Sequence, residues 1–128
     1  MTTRETAGAP LTFDRFWRWL MDHPNCVVRV GSDDCALIDH DDFHWDFLEE
    51  EEGNVIIQLV KGKALVGELI VQRRDVLFVQ ASLDVESAAQ GYWLFELIGG
   101  PKEETFTVAH VLVSHGMEQQ QAHQLLKH

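Results

Sequence analysis

The sequence predicts an α+β fold with an N-terminal helix, an antiparallel meander sheet of about six or seven strands, and a C-terminal helical hairpin packed on one face of the sheet. Three observations carry this prediction. They are a helical apolar stripe near the start, period-two apolar patterning from residue 26 to 98, and capping signals after Pro101. The 128 residues suit one domain, so we expect a flexible arm over 1–10 and a single α+β domain over 11–128.

The N-terminal helix is predicted from four apolar residues that share one helical face. They are Phe13, Phe16, Trp17 and Leu20. Their spacing of i, i+3, i+4 and i+7 is that of a helix buried on one side. The hydroxyl of Thr12 can cap the first turn, and Pro24 stands where the helix cannot continue.

The meander is predicted from short β-rich runs separated by turn residues. The runs are CVVRV, CALID, DFHWDFLEE, VIIQLV, ALVGELIVQ, DVLFVQASL and GYWLFELI. Turn-forming residues separate them at 31–34, 53–54, 61–63 and 73–74. In the third run, Phe43, Trp45 and Phe47 alternate with polar residues, which predicts one core face and one wet face.

The C-terminal hairpin is predicted from capping residues. Glu103 and Glu104 would lie in a first helical turn, His115 near the other end, and Gly116 at a left-handed stop. The segment EQQQAHQLLKH would form the second helix. The β-branched residues of TFTVAHVLV leave an eighth strand as the alternative, and the caps favour the helix.

Negative charge is concentrated in one quarter of the chain. The formal net charge is −11, and residues 26–54 contain ten acidic residues and one basic residue. This balance disfavours nucleic acid and anionic membranes as partners. No apolar run is long enough to span a bilayer, and the first ten residues lack a hydrophobic signal core.

A small non-catalytic protein-binding module that engages a basic partner through the acidic 33–52 region is the function the sequence favours. Inhibitor, immunity, chaperone-like and regulatory proteins share this small acidic character. The partner-binding candidates are Asp33, Asp34, Asp41, Asp42, His44, Asp46, Glu49 and Glu51. Opposite charge speeds encounter, and exposed aromatics such as Trp19 or Tyr92 would supply affinity.

A metal-dependent domain or enzyme is the second hypothesis. Its ligands would be His40, Asp42, His44 and Asp46, which alternate and would share one face of an extended strand. Imidazoles and carboxylates suit zinc and other divalent transition metals. Neighbours on one face of a strand lie about 6.5–7 Å apart, so at most two or three of the four reach one ion. The sequence favours no metal and no cofactor.

A cysteine–histidine pair is the other arrangement that would carry chemistry. His23 and Cys26 are three residues apart, and either His44 or His115 would have to reach them through folding. A buried structural cysteine is the usual outcome at such a position. No nucleophile elbow, Walker loop or zincin motif occurs, so the sequence favours a protein that is not an enzyme. Two cysteines make no disulfide framework, and we expect a reducing cytoplasm.

A structural homo-oligomer is the third hypothesis. The long apolar runs ALVGELIVQ and DVLFVQASL would be aggregation hazards if they were bare sheet edges. Pairing between copies would cover them. A homodimer is compatible with binding to a basic partner, and a dimeric acidic binding protein is what the sequence predicts.

Overall fold

The computed structural model describes residues 10–84 and 91–115, and it is mostly β. Strands hold 56% of these residues and helical segments 15%. One α-helix, α1 (Phe13–Met21), precedes all the strands. The strands are β1 (Val27–Gly31), β2 (Ala36–Ile38), β3 (Phe43–Glu49), β4 (Asn54–Lys61), β5 (Ala64–Gln72), β6 (Val76–Leu83), β7 (Trp93–Gly99) and β8 (Phe106–Val113). Two short 3₁₀ turns cover Pro24–Cys26 and Arg73–Asp75.

The strands form two antiparallel sheets. A five-stranded sheet has the order β2-β1-β8-β7-β6, and a three-stranded sheet has the order β3-β4-β5. The predicted α+β fold with a single meander and a C-terminal helical hairpin is therefore wrong. The β1–β2 hairpin, the strand runs and α1 were predicted correctly.

The segment predicted as the first helix of the hairpin is the strand β8. It pairs with β1 on one side and β7 on the other, so it lies inside the sheet. A strand paired on both edges suits β-branched residues, and the second half of β8 is almost fully buried. Glu103 and Glu104, read as helix-dipole residues, lie in the exposed β7–β8 turn, where the Glu104 N–H donates to the Pro101 carbonyl at 2.9 Å.

The connection Arg73–Asp75 carries the chain from one sheet to the other. The sequence predicts a hairpin there because the connection is short and polar. Its residues form a 3₁₀ turn, and β5 and β6 are not paired. A short connection fixes how close two strand ends lie, and leaves open whether the strands pair.

The core lies between α1 and the inner faces of both sheets. Thr12 caps α1 by accepting a hydrogen bond from the Arg15 N–H at 3.2 Å. Phe16 packs on Phe95 of the five-stranded sheet, with ring centroids 5.0 Å apart. Trp17 packs edge-on to Phe47 of the three-stranded sheet at 5.7 Å. The helix therefore joins the two sheets through one aromatic layer.

A direct hydrogen bond also joins the sheets. The indole Nε1 of Trp45, on β3, donates to the backbone carbonyl of Val27, on β1, at 3.1 Å. Trp45 is buried, as its alternation with polar neighbours predicted. The pair fixes the start of β1 against the middle of β3.

Two predictions fall on residues outside the described ranges. They are the flexible arm, except for Pro10, and the last helix of the predicted hairpin. Within the described ranges, no helix is long and apolar enough to cross a bilayer.

Candidate functional site

Every acidic residue between positions 33 and 52 is exposed. They lie in the β1–β2 turn (Asp33 and Asp34), in the connection into β3 (Asp39, Asp41 and Asp42), on β3 (Asp46), and at its far end (residues 49–52). β3 is an edge strand of seven residues, about 20 Å long. The acids from 39 to 52 therefore form a strip along β3 and both its ends, which we call the acidic edge. Asp33 and Asp34 lie apart from it.

Glu49 differs from the rest of the acidic edge because it has a basic partner. The Arg73 guanidinium lies 3.1 Å from Glu49 Oε1 and 3.4 Å from Asp14 Oδ1. The same guanidinium lies 5.4 Å from the ring centroid of Phe13. Arg73 thus ties the far end of β3 to α1, and Glu49 serves this contact.

The four candidate metal ligands do not form a cluster. His40 and Asp42 lie in the connection before β3, and the ring of His40 packs on that of Phe43 at 5.6 Å. His44 and Asp46 project from the outer face of β3. Among the described residues, no group of three or more histidine, cysteine or acidic side chains is arranged to hold a metal ion.

The fold does bring Cys26 and His115 together. Cys26 Sγ lies 3.4 Å from His115 Nε2, although 89 residues separate them. The Ser114 N–H donates to the Cys26 carbonyl at 2.8 Å and holds the end of β8 beside the Pro24–Cys26 turn. The ring of His23 lies 6.3 Å from that of His115, and its Nδ1 is 2.6 Å from the Trp19 carbonyl.

The electrostatics of this pair favour its neutral form. Burial raises the pKa of the Cys26 thiol, and a hydrogen bond with Ser114 opposes that shift. Burial and the charge of His23 lower the pKa of His115. A nucleophilic thiolate needs the opposite shifts, a lowered thiol pKa beside a protonated imidazole. The geometry of the pair is that of a contact between His115, which follows the end of β8, and the Pro24–Cys26 turn.

The outer face of the three-stranded sheet carries a feature that sequence reasoning missed. Leu48, Ile56 and Ile70 are directly opposite one another on β3, β4 and β5 and form an apolar row. Leu48 is 43% exposed and Ile70 54%. Beyond the next row, Leu65 and Val66 of β5 are also about half exposed.

The sequence does contain a signal for this apolar face. In β5, ALVGELIVQ, apolar residues occupy both parities, so any strand conformation must turn some of them outward. In β3, the alternation that turns Trp45 inward turns Leu48 outward. Pairing three such strands creates a contiguous exposed surface, which marks interaction sites in soluble proteins.

An acidic row crosses the same outer face beside the apolar one. Asp46, Gln58 and Glu68 are opposite one another on β3, β4 and β5. The Gln58 Nε2 amide donates to Glu68 Oε1 at 3.0 Å, and both carboxylic acids are exposed. The outer face therefore presents an acidic row between apolar groups, and the acidic row meets the acidic edge at Asp46.

The outer face of the five-stranded sheet is different, because its polar groups bond to one another. Arg29 Nε donates to His110 Nε2 at 3.2 Å, and Thr107 Oγ1 donates to Glu96 Oε2 at 3.1 Å. Glu96 and His110 are opposite one another on β7 and β8. Burial, then the charge of Arg29, lowers the pKa of His110, and Glu96 opposes this. The polar side chains of this network therefore form hydrogen bonds with one another.

The aromatic residues proposed as anchors are only half exposed or less. Trp19 stacks on His23 at 4.5 Å and packs against Phe95 at 5.5 Å, so its ring belongs to the margin of the core. Tyr92 is half-buried beside β7. The exposed aliphatic row, and not an aromatic residue, supplies the apolar part of the candidate surface.

The outer face of the three-stranded sheet, together with the acidic edge, is therefore the candidate functional site. It rests on the geometry of this chain alone. No family model, curated protein or solved structure matches this chain.

Proposed function

We propose that this chain is a non-catalytic module that binds a basic protein through the outer face of its three-stranded sheet and the acidic edge. One observation carries the proposal. The apolar row of Leu48, Ile56 and Ile70, whose two end members are exposed, lies directly beside the acidic row that includes Asp46 and Glu68. A surface of this composition suits a partner with basic and apolar side chains.

The two components of the surface have different physical roles. Burial of the half-exposed aliphatic side chains favours binding by about 25 cal/mol for each square ångström of apolar surface removed from water, and the freedom lost on association offsets part of this gain. The acidic edge supplies rate and selectivity, because its field attracts a positively charged partner over roughly one Debye length, about 8 Å at physiological salt.

Inhibitor, immunity, chaperone-like and regulatory proteins are the types this module resembles in size and charge. We place it in the cytoplasm. Cys26 and Cys35 are free thiols, which supports a reducing compartment.

The test uses two matched pairs of substitutions that each remove two negative charges. The first pair, Asp42→Asn with Asp46→Asn, lies on the acidic edge. The control pair, Glu103→Gln with Glu104→Gln, lies in the exposed β7–β8 turn. The wild-type chain would first be used to capture partners from a lysate at about 0.05 and 0.5 M salt, followed by mass spectrometry and kinetics with the purified partner.

The expected result is a basic partner that dissociates at high salt. Its association rate at low salt should fall about tenfold with the acidic-edge pair and change little with the control pair. Equal effects of the two pairs, or binding that does not respond to salt, would show that the acidic edge is not the binding surface.

A further inference from the structure

The two sheets have four edge strands, and three of them have features that protect against pairing with another chain. β2 has only three residues. β3 carries Asp46 and Glu49 and is flanked by the rest of the acidic edge. β6 is bridged by Leu11, with two backbone hydrogen bonds of 2.8 Å to Val79. Short edges, charged edges and covered edges are the known ways in which proteins block strand addition.

The fourth edge strand, β5, has little such protection. It is nine residues long, and Glu68 is its only charged residue. Its one irregularity is a bulge at Val66, because Gly67 and Leu65 pair with the consecutive residues Leu59 and Val60 of β4, so the regular part of the edge is 67–72. Within the described ranges, its backbone hydrogen bonds go to β4 alone. Leu65, Val66 and Ile70 are each about half exposed along it. A long, mostly apolar edge with free N–H and C=O groups is a template for another strand.

We propose that β5 is the docking edge, and that the basic partner adds an extended segment to the three-stranded sheet beside it. This inference rests on the proposed function and names how the partner is held. Backbone hydrogen bonds would supply part of the affinity, and alternate side chains would supply the specificity. The added strand would extend the apolar and acidic rows of the outer face by one position each.

The rows specify the chemistry of the added segment. A residue opposite Glu68 extends the acidic row, so a lysine or arginine there forms a cross-strand ion pair. Residues two positions away lie beside Ile70 or beside the bulged Val66, and these positions favour valine or isoleucine. Lys63 lies five residues before Glu68, about 16 Å along the chain, so its charge is largely screened there.

A second copy of this chain fits the edge less well than a basic segment does. Each copy carries a net charge of −11, so two copies repel each other as they approach. Pairing β5 with β5 about Glu68 would also place two carboxylates opposite one another, which is destabilising. The occupant we infer is therefore a heterologous strand with the pattern apolar–basic–apolar on one face.

Two capped peptides of eleven residues serve as probes. Both have threonine at odd positions and valine at positions 2, 4, 8 and 10. Position 6 is lysine in one peptide and glutamate in the other. Binding to the full chain would be measured by titration, and backbone amide exchange would be followed over residues 64–72. The protein variants are Glu68→Lys and, as a matched charge change far from β5, Glu103→Lys.

The lysine peptide should bind the wild-type chain about tenfold more tightly than the glutamate peptide. The Glu68→Lys variant should reverse this preference, and Glu103→Lys should retain it. Amide exchange over 64–72 should slow when the preferred peptide binds, because strand addition engages the outward N–H groups of β5. Docking on the outer face leaves those amides free.

The proposal is overturned if the Glu68→Lys variant keeps the wild-type preference, if neither peptide binds, or if bound peptide leaves amide exchange over 64–72 unchanged. It is also overturned if the wild-type chain sediments as a dimer at tens of micromolar with these amides already protected, since the occupant is then a second copy. The function proposed above is tested separately. A salt-sensitive partner that responds to the acidic-edge pair supports binding even if strand addition fails.

Discussion

The two sheets of this protein share one core, but their outer faces differ in how their side chains are bonded and exposed. On the five-stranded sheet, the polar groups Arg29, His110, Glu96 and Thr107 bond among themselves, and Leu112 is only 5% exposed. On the three-stranded sheet, Ile70 is 54% exposed, and nine residues of β5 have no backbone partner beyond β4 within the described ranges. The polar groups of the first outer face bond to one another, and the exposed apolar residues of that sheet, Ile38, Leu77 and Phe106, lie on three separate strands. The second outer face presents a continuous apolar row beside an edge strand.

The difference shows that burial alone does not locate function in a small β protein. Both sheets contribute fully buried residues to the core, so both are needed for folding. Among residues 10–84 and 91–115, only the three-stranded sheet combines an apolar row, an acidic row and an edge strand without a backbone partner on its outer side. Substitutions that compare the two sheets can therefore separate stability from binding.

The largest expected difference is between two leucines on outer faces. Leu112→Ala, on the five-stranded sheet, should lower the free energy of unfolding by about 2–5 kcal/mol because Leu112 is buried. Leu48→Ala, on the three-stranded sheet, should lower it by far less, about 0.5 kcal/mol, because Leu48 is already 43% exposed. Urea unfolding of both variants measures this. Equal losses would mean that the two outer faces are equally covered.

The next effect concerns the hydrogen bond that joins the sheets. Trp45→Phe removes the donor to the Val27 carbonyl and should cost about 1–3 kcal/mol. Trp93→Phe is the matched control, because the buried Trp93 Nε1 has no hydrogen-bond partner among the described residues. Its loss should cost less, since no hydrogen bond is broken. Thermal unfolding measures both losses. A larger loss of stability in Trp93→Phe than in Trp45→Phe would contradict the role of the Trp45 hydrogen bond in joining the sheets.

A smaller effect is expected from pH, and we assign it to His110 on β8 and to His115, which follows β8. The pKa values of His110 and His115 lie below the ordinary 6.5, so below about pH 6.5 the unfolded chain binds more protons than the folded chain. Stability should therefore fall as the pH is lowered through this range. His110→Gln with His115→Gln should flatten the dependence in urea unfolding at a series of pH values. An unchanged slope would assign the effect to other groups.

The smallest expected change in stability is at Ile70. Ile70→Thr keeps a β-branched residue in β5 and should shift the free energy of unfolding by no more than about 0.5 kcal/mol. Affinity for the basic partner should nevertheless fall severalfold, because an exposed apolar contact is lost. Ile38→Thr is the control, since Ile38 is 59% exposed on β2 of the other sheet. Equal losses of affinity would remove the distinction between the sheets.

Local features of the fold could be predicted from the sequence. The stripe of α1 and its Thr12 cap, the β1–β2 hairpin and the inward Trp45 depend on residues close together in the chain. Positive φ values at Gly53 and Gly62 likewise match the turns expected at those glycines. Periodicity and turn chemistry report such short-range preferences directly.

Features that depend on pairing between distant segments could not be predicted in the same way. β8 lies between β1 and β7, and this position depends on residues far away in the chain. The acidic residues in the turn before β8 match the pattern of a first helical turn, which led to the wrong prediction of a helix. Cys26 meets His115 across 89 residues, which no local spacing indicates. The exposed apolar row of the candidate site arises only when β3, β4 and β5 pair. The sequence marks ALVGELIVQ as a hazard if it forms a bare edge, but only the pairing shows that β5 is such an edge and which side chains lie beside it.

Because Leu11 bridges Val79 of β6, the segment before α1 must stay uncut if the protein is not to aggregate. A protease that cut between Leu11 and Phe13 would release the Leu11 bridge and expose the edge of β6. This strand has eight residues and no charged side chain. The trimmed molecule would then have two unprotected edge strands, β5 and β6. Pairing β6 of one copy with β5 of the next is a head-to-tail contact that can continue into polymers when salt screens the repulsion between the −11 charges. Preparations nicked at this point should therefore precipitate, while intact chains remain dispersed.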